Sequence, residues 1–368
     1  MRILKFTFRL LLVTLIISAI IFYLTYTKYN LNNIISKVEK NSNIEIEINE
    51  KEKWLFFPTI KLVFSSKIQD NINKYYSEKI FFSFEQPYKL SPINIDIKSN
   101  AFFIRGLEIK LLKLLADYTH FSNDLFINKL SGKINNGSFN VKGSIKELDT
   151  KDKQIILKGN LNNLYLNQIL KQLNLADWHR IEIRLSSNNF NLSSQTTDAN
   201  KLQENLKGEI PINGSIYFVT TEEERFGISL LNLLVEKMLP DYRNLSKSLS
   251  LIINNFSDAP ALFKGTLMIK NGKIYTSNLS VKNKNNNNKI YLEGYYDFIN
   301  DFFNTKLSFI ESSNVQVEAR ISGNLENPSI EIINDNEVIN NNQLNNDLKK
   351  VIEEGIGTLI DNLLNLNE

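Results

Sequence analysis

The side chains that could do chemistry are few and scattered. His120 and His179 are the only histidines and cysteine is absent. No pair of imidazoles therefore has the spacing of a metal site, and thiolate catalysis, disulfides and cysteine-ligated metals are excluded. Neither a Gly-x-Ser-x-Gly elbow nor a phosphate-cradling glycine loop occurs. Glu222, Glu223, Glu224 and Arg225 could hold a metal or an acid/base pair, but consecutive acids on a loop read as a solvated surface. Trp178 and His179 fall at a helix-to-strand junction, where packing explains them. The expectation is that the chain is no enzyme, with no catalytic residue, no cofactor and no metal.

Charge narrows the class of partner. The formal net charge is +3, and Arg2, Lys5 and Arg9 alone account for it, so everything after them is neutral overall with both signs interspersed. Nothing there steers nucleic acid. Those three basic residues precede residues 10–27, which carry no charge. At about 1.5 Å per residue, a run of roughly 18 is near the minimum for crossing hydrocarbon. The basic flank predicts residues 1–9 in the cytoplasm, 10–27 as a single transmembrane signal anchor, and the rest of the chain exported. A cleaved signal peptide is the competing reading. The run is longer than a usual apolar segment of that kind, and Thr25-Tyr26-Thr27 offers no small-x-small cleavage site.

After the anchor the dominant period is two. Ile44 to Ile48, Ile93 to Ile97, Ile181 to Leu185 and Val315 to Ile321 alternate apolar with polar residues, as strands with one dry and one wet face do. Asn136-Gly137, Asn213-Gly214 and Asn271-Gly272 each lie between two such runs, and Asn-Gly favours a tight hairpin turn. The three hairpins share a leading glycine (Gly132, Gly208, Gly265), and strand-opening glycines recur at Gly143, Gly159, Gly294 and Gly323. The pattern reads as a degenerate repeat that adds meander units along one axis.

Helical spacing, with apolar residues three and four apart, is confined to residues 107–118, 164–175 and 230–239, the last continuing past Pro240. These read as plugs or end caps between strand groups. Residues 334–344 form a mostly polar linker. Residues 345–368 then carry a stripe of Leu348, Val351, Ile352, Ile356, Leu359, Ile360, Leu363 and Leu364, an amphipathic helix that could dock on the protein's own apolar surface, a membrane or a partner.

The order of these features resembles the AsmA-like proteins, related to the bridge-like lipid-transfer proteins. An anchor, a short helix over residues 31–39, the strand from Ile44, and then Trp54, Phe57, Pro58 and Leu62 are similar to that family's N-terminus. Gly265, Gly272, Gly294, Gly323 and Pro328 fall where its C-terminal block places a hairpin, further strands and a Gly-x-Leu-x-x-Pro close. Residues 163–170 resemble the short helix that these proteins place between β units. The chain departs from the pattern at residues 49–53, where a glycine turn is usual, and it is compressed between Phe64 and Gly132.

The resemblance implies a bacterial inner-membrane protein with one pass and a periplasmic body. Its function would be phospholipid transport or outer-membrane biogenesis. The expected fold is mainly β with a few helices: an N-terminal transmembrane helix, then a long curled antiparallel β-sheet forming an open, apolar-lined groove. Short plug or cap helices and the C-terminal amphipathic helix complete it. An N-terminal β region is placed at residues 28–130 and a repeated β-meander groove at 131–333. A face of Ile, Leu, Val and Phe too wide to close on itself would take acyl chains, leaving head groups in water. Candidate lining residues are Ile134, Phe139, Ile210, Ile212, Ile216, Leu267, Ile269, Ile274, Leu292 and Ile321. The same residues could instead form a dry core, and charged substitutions at Ile212 and Ile269 are the sequence's way of separating the two. The expected partners are membrane lipids, with an envelope protein or self-association as a possible second contact. The alternative function is a structural or assembly factor acting through an exposed β-edge or the C-terminal helix.

Overall fold

The computed structural model describes residues 44–70, 74–86, 92–148, 153–172, 181–196, 204–218, 243–256, 260–286, 288–324, 328–333 and 337–340, with Lys201 and five positions between 32 and 40. The anchor, the 230–239 helix, Trp178, His179, Glu222 to Arg225 and residues 345–368 lie outside them. Among the described residues no helix is long and apolar enough to cross a membrane.

The described chain is mainly β, a 17-stranded antiparallel sheet with few helices. Its strands are β1 (Ile44–Leu55), β2 (Ile60–Asp70), β3 (Tyr75–Gln86), β4 (Ile93–Ile104), β5 (Leu107–Thr119), β6 (Asp124–Ile134), β7 (Gly137–Lys146), β8 (Lys153–Tyr165) and β9 (Ile181–Thr196). They continue as β10 (Lys207–Phe218), β11 (Ala261–Lys270), β12 (Lys273–Asn283), β13 (Lys289–Asp297), β14 (Phe302–Glu311), β15 (Asn314–Gly323), β16 (Pro328–Ile332) and β17 (Glu337–Asn340). Helix α1 (Leu166–Gln172) follows β8, and α2 (Arg243–Phe256) precedes β11. Every strand pairs with its neighbours in sequence, from β1 with β2 to β16 with β17, and no pairing joins β1 to β17. The sheet is therefore open. It also runs without interruption through the division placed after residue 130, which falls inside β6.

Two of the three Asn-Gly sites lie at tight hairpins. Asn271 and Gly272 link Lys270 to Lys273 with φ of 53° and 70°, the positive values that this turn demands. The first hairpin turns one residue earlier than its Asn-Gly pair: Asn135 (φ 51°) and Asn136 form the loop, and Gly137 already pairs with Ile134. At Asn213-Gly214 there is no turn, because β10 runs straight through it. Gly214 is instead a close-approach position. A Cβ there would come within 1.9 Å of the Arg184 carbonyl oxygen and 2.6 Å of the Phe263 ring. Gly132, Gly143, Gly159, Gly265 and Gly294 are likewise inside strands rather than opening them.

Residues 107–118, read as helical, are strand β5. Leu111 has φ 51°, and the register with β6 shifts between Lys110 and Lys113. Leu107 and Ile109 before this bulge, and Leu112, Leu114 and Ala116 after it, follow period two in each half. The extra residue between the halves produces the spacing of three and four that mimics a helix. In the 164–175 segment the helix is limited to Leu166–Gln172 among described residues, with Leu164 and Tyr165 ending β8. Part of the polar linker is also ordered into the sheet as β17, where Ile339 pairs with Ile330.

Candidate functional site

Residues directly opposite one another in antiparallel strands project to the same side of a sheet. Following those pairs across the strands places all ten candidate lining residues on one face. Ile134 lies opposite Gly137, and Phe139, two residues on, lies opposite Gly132 and Leu161. Leu157, on the same face of β8 as Leu161, pairs with Leu192, and Leu192 pairs with Gly208. Gly208, Ile210 and Ile212 pair with Ile269, Leu267 and Gly265, and Ile216 pairs with Ala261. Ile269 continues to Ile274, Leu279 to Leu292, Leu292 to Leu307, and Thr305 to Ile321. Toward the N-terminus the same face carries Ile127 and Ala116, Ile95 and Phe84, Leu62 and Trp54.

Eight of the ten are half-buried, whereas Ile212 and Ile269 are only 6% and 7% exposed. Among the described residues the apolar face is covered at two places. Near β1 to β3, Asn32, Ile35, Ser36, Glu39 and Lys40 are helical, and Ile35 packs on Leu62 and Phe64, with Ile46, Ile48, Trp54, Phe82 and Phe84 around them. The Phe64 ring stacks on Phe82 and Phe84 at centroid distances of 4.8 and 6.1 Å. Near β11 to β15, Phe256 of α2 meets Phe309 edge-on at 6.2 Å, and Phe309 is fully buried. Between these covers Val141, Ile145, Leu157, Ile183, Leu185 and Leu192 are only partly buried.

An asparagine cluster holds α2 in place. The Asn255 side-chain oxygen accepts from Nδ2 of Asn286 at 2.8 Å and of Asn288 at 2.6 Å, and the Asn255 carbonyl accepts from Asn283 Nδ2. Asn288 also donates to Glu311 at 3.1 Å. Asn283 and Asn288 are 1% and 4% exposed, so each needs such partners in place of water. A run that composition alone marks as a loop is thus a clamp on the sheet's edge.

Polar groups are sparse on the apolar face and carry no reactive arrangement. The Ser77 and Ser99 hydroxyls lie 2.9 Å apart and 2.8 and 2.9 Å from the Ala101 carbonyl oxygen, so their two protons serve two of these three contacts at a time. They sit where the pairing of β3 with β4 is interrupted, between Tyr76↔Phe103 and Ile80↔Ser99. The opposite face carries the ion pairs: Lys98 with Asp96 at 2.6 Å, Lys306 with Glu318 at 2.8 Å and Arg320 with Glu331 at 3.2 Å. Exposed pairs of this sort contribute about 0–1 kcal/mol each. The hydrogen bond from Lys306 holds the Glu318 carboxyl below its ordinary range. The Asn300 side chain and backbone do the same for Asp297, which caps the β13–β14 turn through the backbone N–H groups of Ile299 and Asn300. Both are structural carboxylates. His120 lies at the exposed β5–β6 tip, and among the described residues no group of three or more His, Cys, Asp or Glu side chains could hold a metal.

The positions that carry the family resemblance divide in two. Trp54 and Leu62 are opposite one another on the apolar face, and Gly265, Gly294 and Gly323 lie on the same face opposite Ile212, Thr305 and Phe303. Phe57 and Pro58 are exposed at the β1–β2 tip, Gly272 is in a turn, and Pro328 opens β16. Comparison with protein-family models, with curated proteins and with solved structures gives no match to this chain.

Proposed function

We propose that the chain is an AsmA-like, inner-membrane-anchored periplasmic protein whose sheet curls into an open trough that binds lipid acyl chains and assists phospholipid transport and outer-membrane biogenesis. The observation that carries this reading is the single apolar face that register carries from β1 to β15, only partly buried along its middle in a sheet whose first and last strands do not meet. A face of that size left in water is costly, at about 25 cal/mol per Å² of apolar surface. Acyl chains are long, apolar and free of directional demands, so they fit a lining without polar recognition groups. Lipid mass spectrometry on the purified full-length chain tests the reading: co-purified phospholipid in at least stoichiometric amount is expected, and a lipid-free chain would sink it.

Reach follows from strand count. Sixteen inter-strand steps of about 4.8 Å give roughly 77 Å along the axis, short of a periplasm. One copy would act near its own membrane or hand lipid to a partner. Among the described residues the outer edges of β1 and β17 pair with no strand, which favours a second reading, a structural factor that adds a partner's strand at an edge and carries no lipid.

A further inference from the structure

We infer that the hairpin tip between β1 and β2 inserts into the bilayer that holds the anchor, so that the first end of the sheet is fixed to the membrane at two points. The inference rests on the reading of residues 10–27 as that anchor.

Residues 54–60 carry no charge. At the tip Leu55, Phe56 and Phe57 are 54%, 49% and 87% exposed, the largest apolar exposure of any turn among the described residues. Phe56 stacks on Trp54 at 6.1 Å, and Trp54 belongs to the apolar face, so apolar surface continues from that face onto the tip. An isolated exposed hydrophobe is ordinary, but a contiguous, uncharged set with an aromatic apex needs an apolar partner.

The path of the chain supplies the partner. Ile35 packs at the level of Leu62 and Phe64, close to the tip end of β2, whereas the Glu39 carboxylate accepts from the Ile46 N–H at 2.9 Å, near the opposite end of β1. The chain between them therefore runs away from the tip before β1 returns toward it. From Ile35 to Thr27, the end of the uncharged run, is eight residue steps, at most about 28 Å. Phe57 lies five residues beyond Leu62, roughly 15 Å along the strand direction. With residues 10–27 read as the anchor, that length of chain is short enough for the tip to share the anchor's bilayer, the apolar phase that such an anchor implies.

The absence of native cysteine allows single labelled sites in the full-length chain. Phe57→Cys, Phe121→Cys and Ser18→Cys, each carrying an environment-sensitive fluorophore, would be reconstituted in phosphatidylethanolamine and phosphatidylglycerol vesicles containing lipids with a nitroxide on the acyl chain. Phe121 is the control: it is 81% exposed, at the β5–β6 tip four strands away on the same edge. Strong quenching at positions 18 and 57, at least about threefold above that at 121, is expected for a tip in hydrocarbon. Quenching at 18 with position 57 no stronger than 121 overturns the inference and leaves the anchor standing. No quenching at 18 removes the anchor, and the inference with it.

Discussion

Ile210→Asp and Ile274→Asp are each expected to cut phospholipid co-purifying with the full-length chain by about tenfold or more, while leaving the protein folded. Both side chains are half-buried on the apolar face, opposite Leu267 and Ile269 respectively. In the lipid-free trough a carboxylate there can reach water. With acyl chains packed against it the charge is desolvated, a penalty of several kcal/mol unless it takes up a proton. Each 1.4 kcal/mol is tenfold in occupancy. The choice of position matters. The sequence pointed to Ile212 and Ile269, but at 6% and 7% exposed these are packed among protein side chains, and a charge at either would unfold a trough and a closed core alike. At half-buried positions the two accounts part. A cooperative circular-dichroism melt close to the parent's, with lipid lost, supports the trough, and a chain that no longer folds when only Ile210 or Ile274 is changed supports a sealed core.

Gly214→Ala is expected to destabilise the sheet by about 1–3 kcal/mol, the usual range for forcing extra volume into packed structure. The added methyl would sit 1.9 Å from the Arg184 carbonyl oxygen of β9 and 2.6 Å from the Phe263 ring of β11, so neighbours on both sides must move. The same approach recurs at Gly143 to the Ile156 carbonyl (2.0 Å), Gly159 to Asn140 (2.3 Å) and Gly294 to Asn304 (2.2 Å). In each case the contact is the carbonyl preceding the residue that pairs with the glycine. Phenylalanine rings cover three of the gaps, with Phe139 over Gly132, Phe190 over Gly159 and Phe263 over Gly214, an arrangement that restores packing where a strand lacks a side chain. Glycine on the apolar face lets adjacent strands close in on that side. Urea titration should show a lower midpoint for Gly214→Ala, whereas Lys264→Ala on the opposite face should fall within about 0.5 kcal/mol of the parent. Equal midpoints for the two would mean that the close approach carries no weight.

The two-faced sheet was legible in the sequence because strand side chains alternate without exception between bulges. Ile210, Ile212 and Ile216, or Leu267 and Ile269, needed only a period of two to be assigned together, and the two-residue Asn271-Gly272 turn brings Ile274 opposite Ile269. The family resemblance led to the same apolar face, but no match to a known protein stands behind it. What was not legible depended on residues far apart in the chain. Leu111 looks helical in context because a single left-handed residue shifts the phase of everything after it. Asn213-Gly214 has the composition of a turn, and only the nearness of Arg184 and Phe263 makes it the middle of a strand. Asn283 and Asn288 read as loop filler until Asn255, 28 and 33 residues away, is brought against them.

The most direct measurement of the central claim is photo-crosslinking in living cells, with benzoylphenylalanine replacing Ile274 on the apolar face or its neighbour Tyr275 on the other. Both positions are in β12, one residue apart, and Tyr275 is 39% exposed. A phospholipid adduct at position 274 and none at 275 is the expected result. Absence of adduct at 274, or equal adducts at both, would contradict a lipid-filled trough.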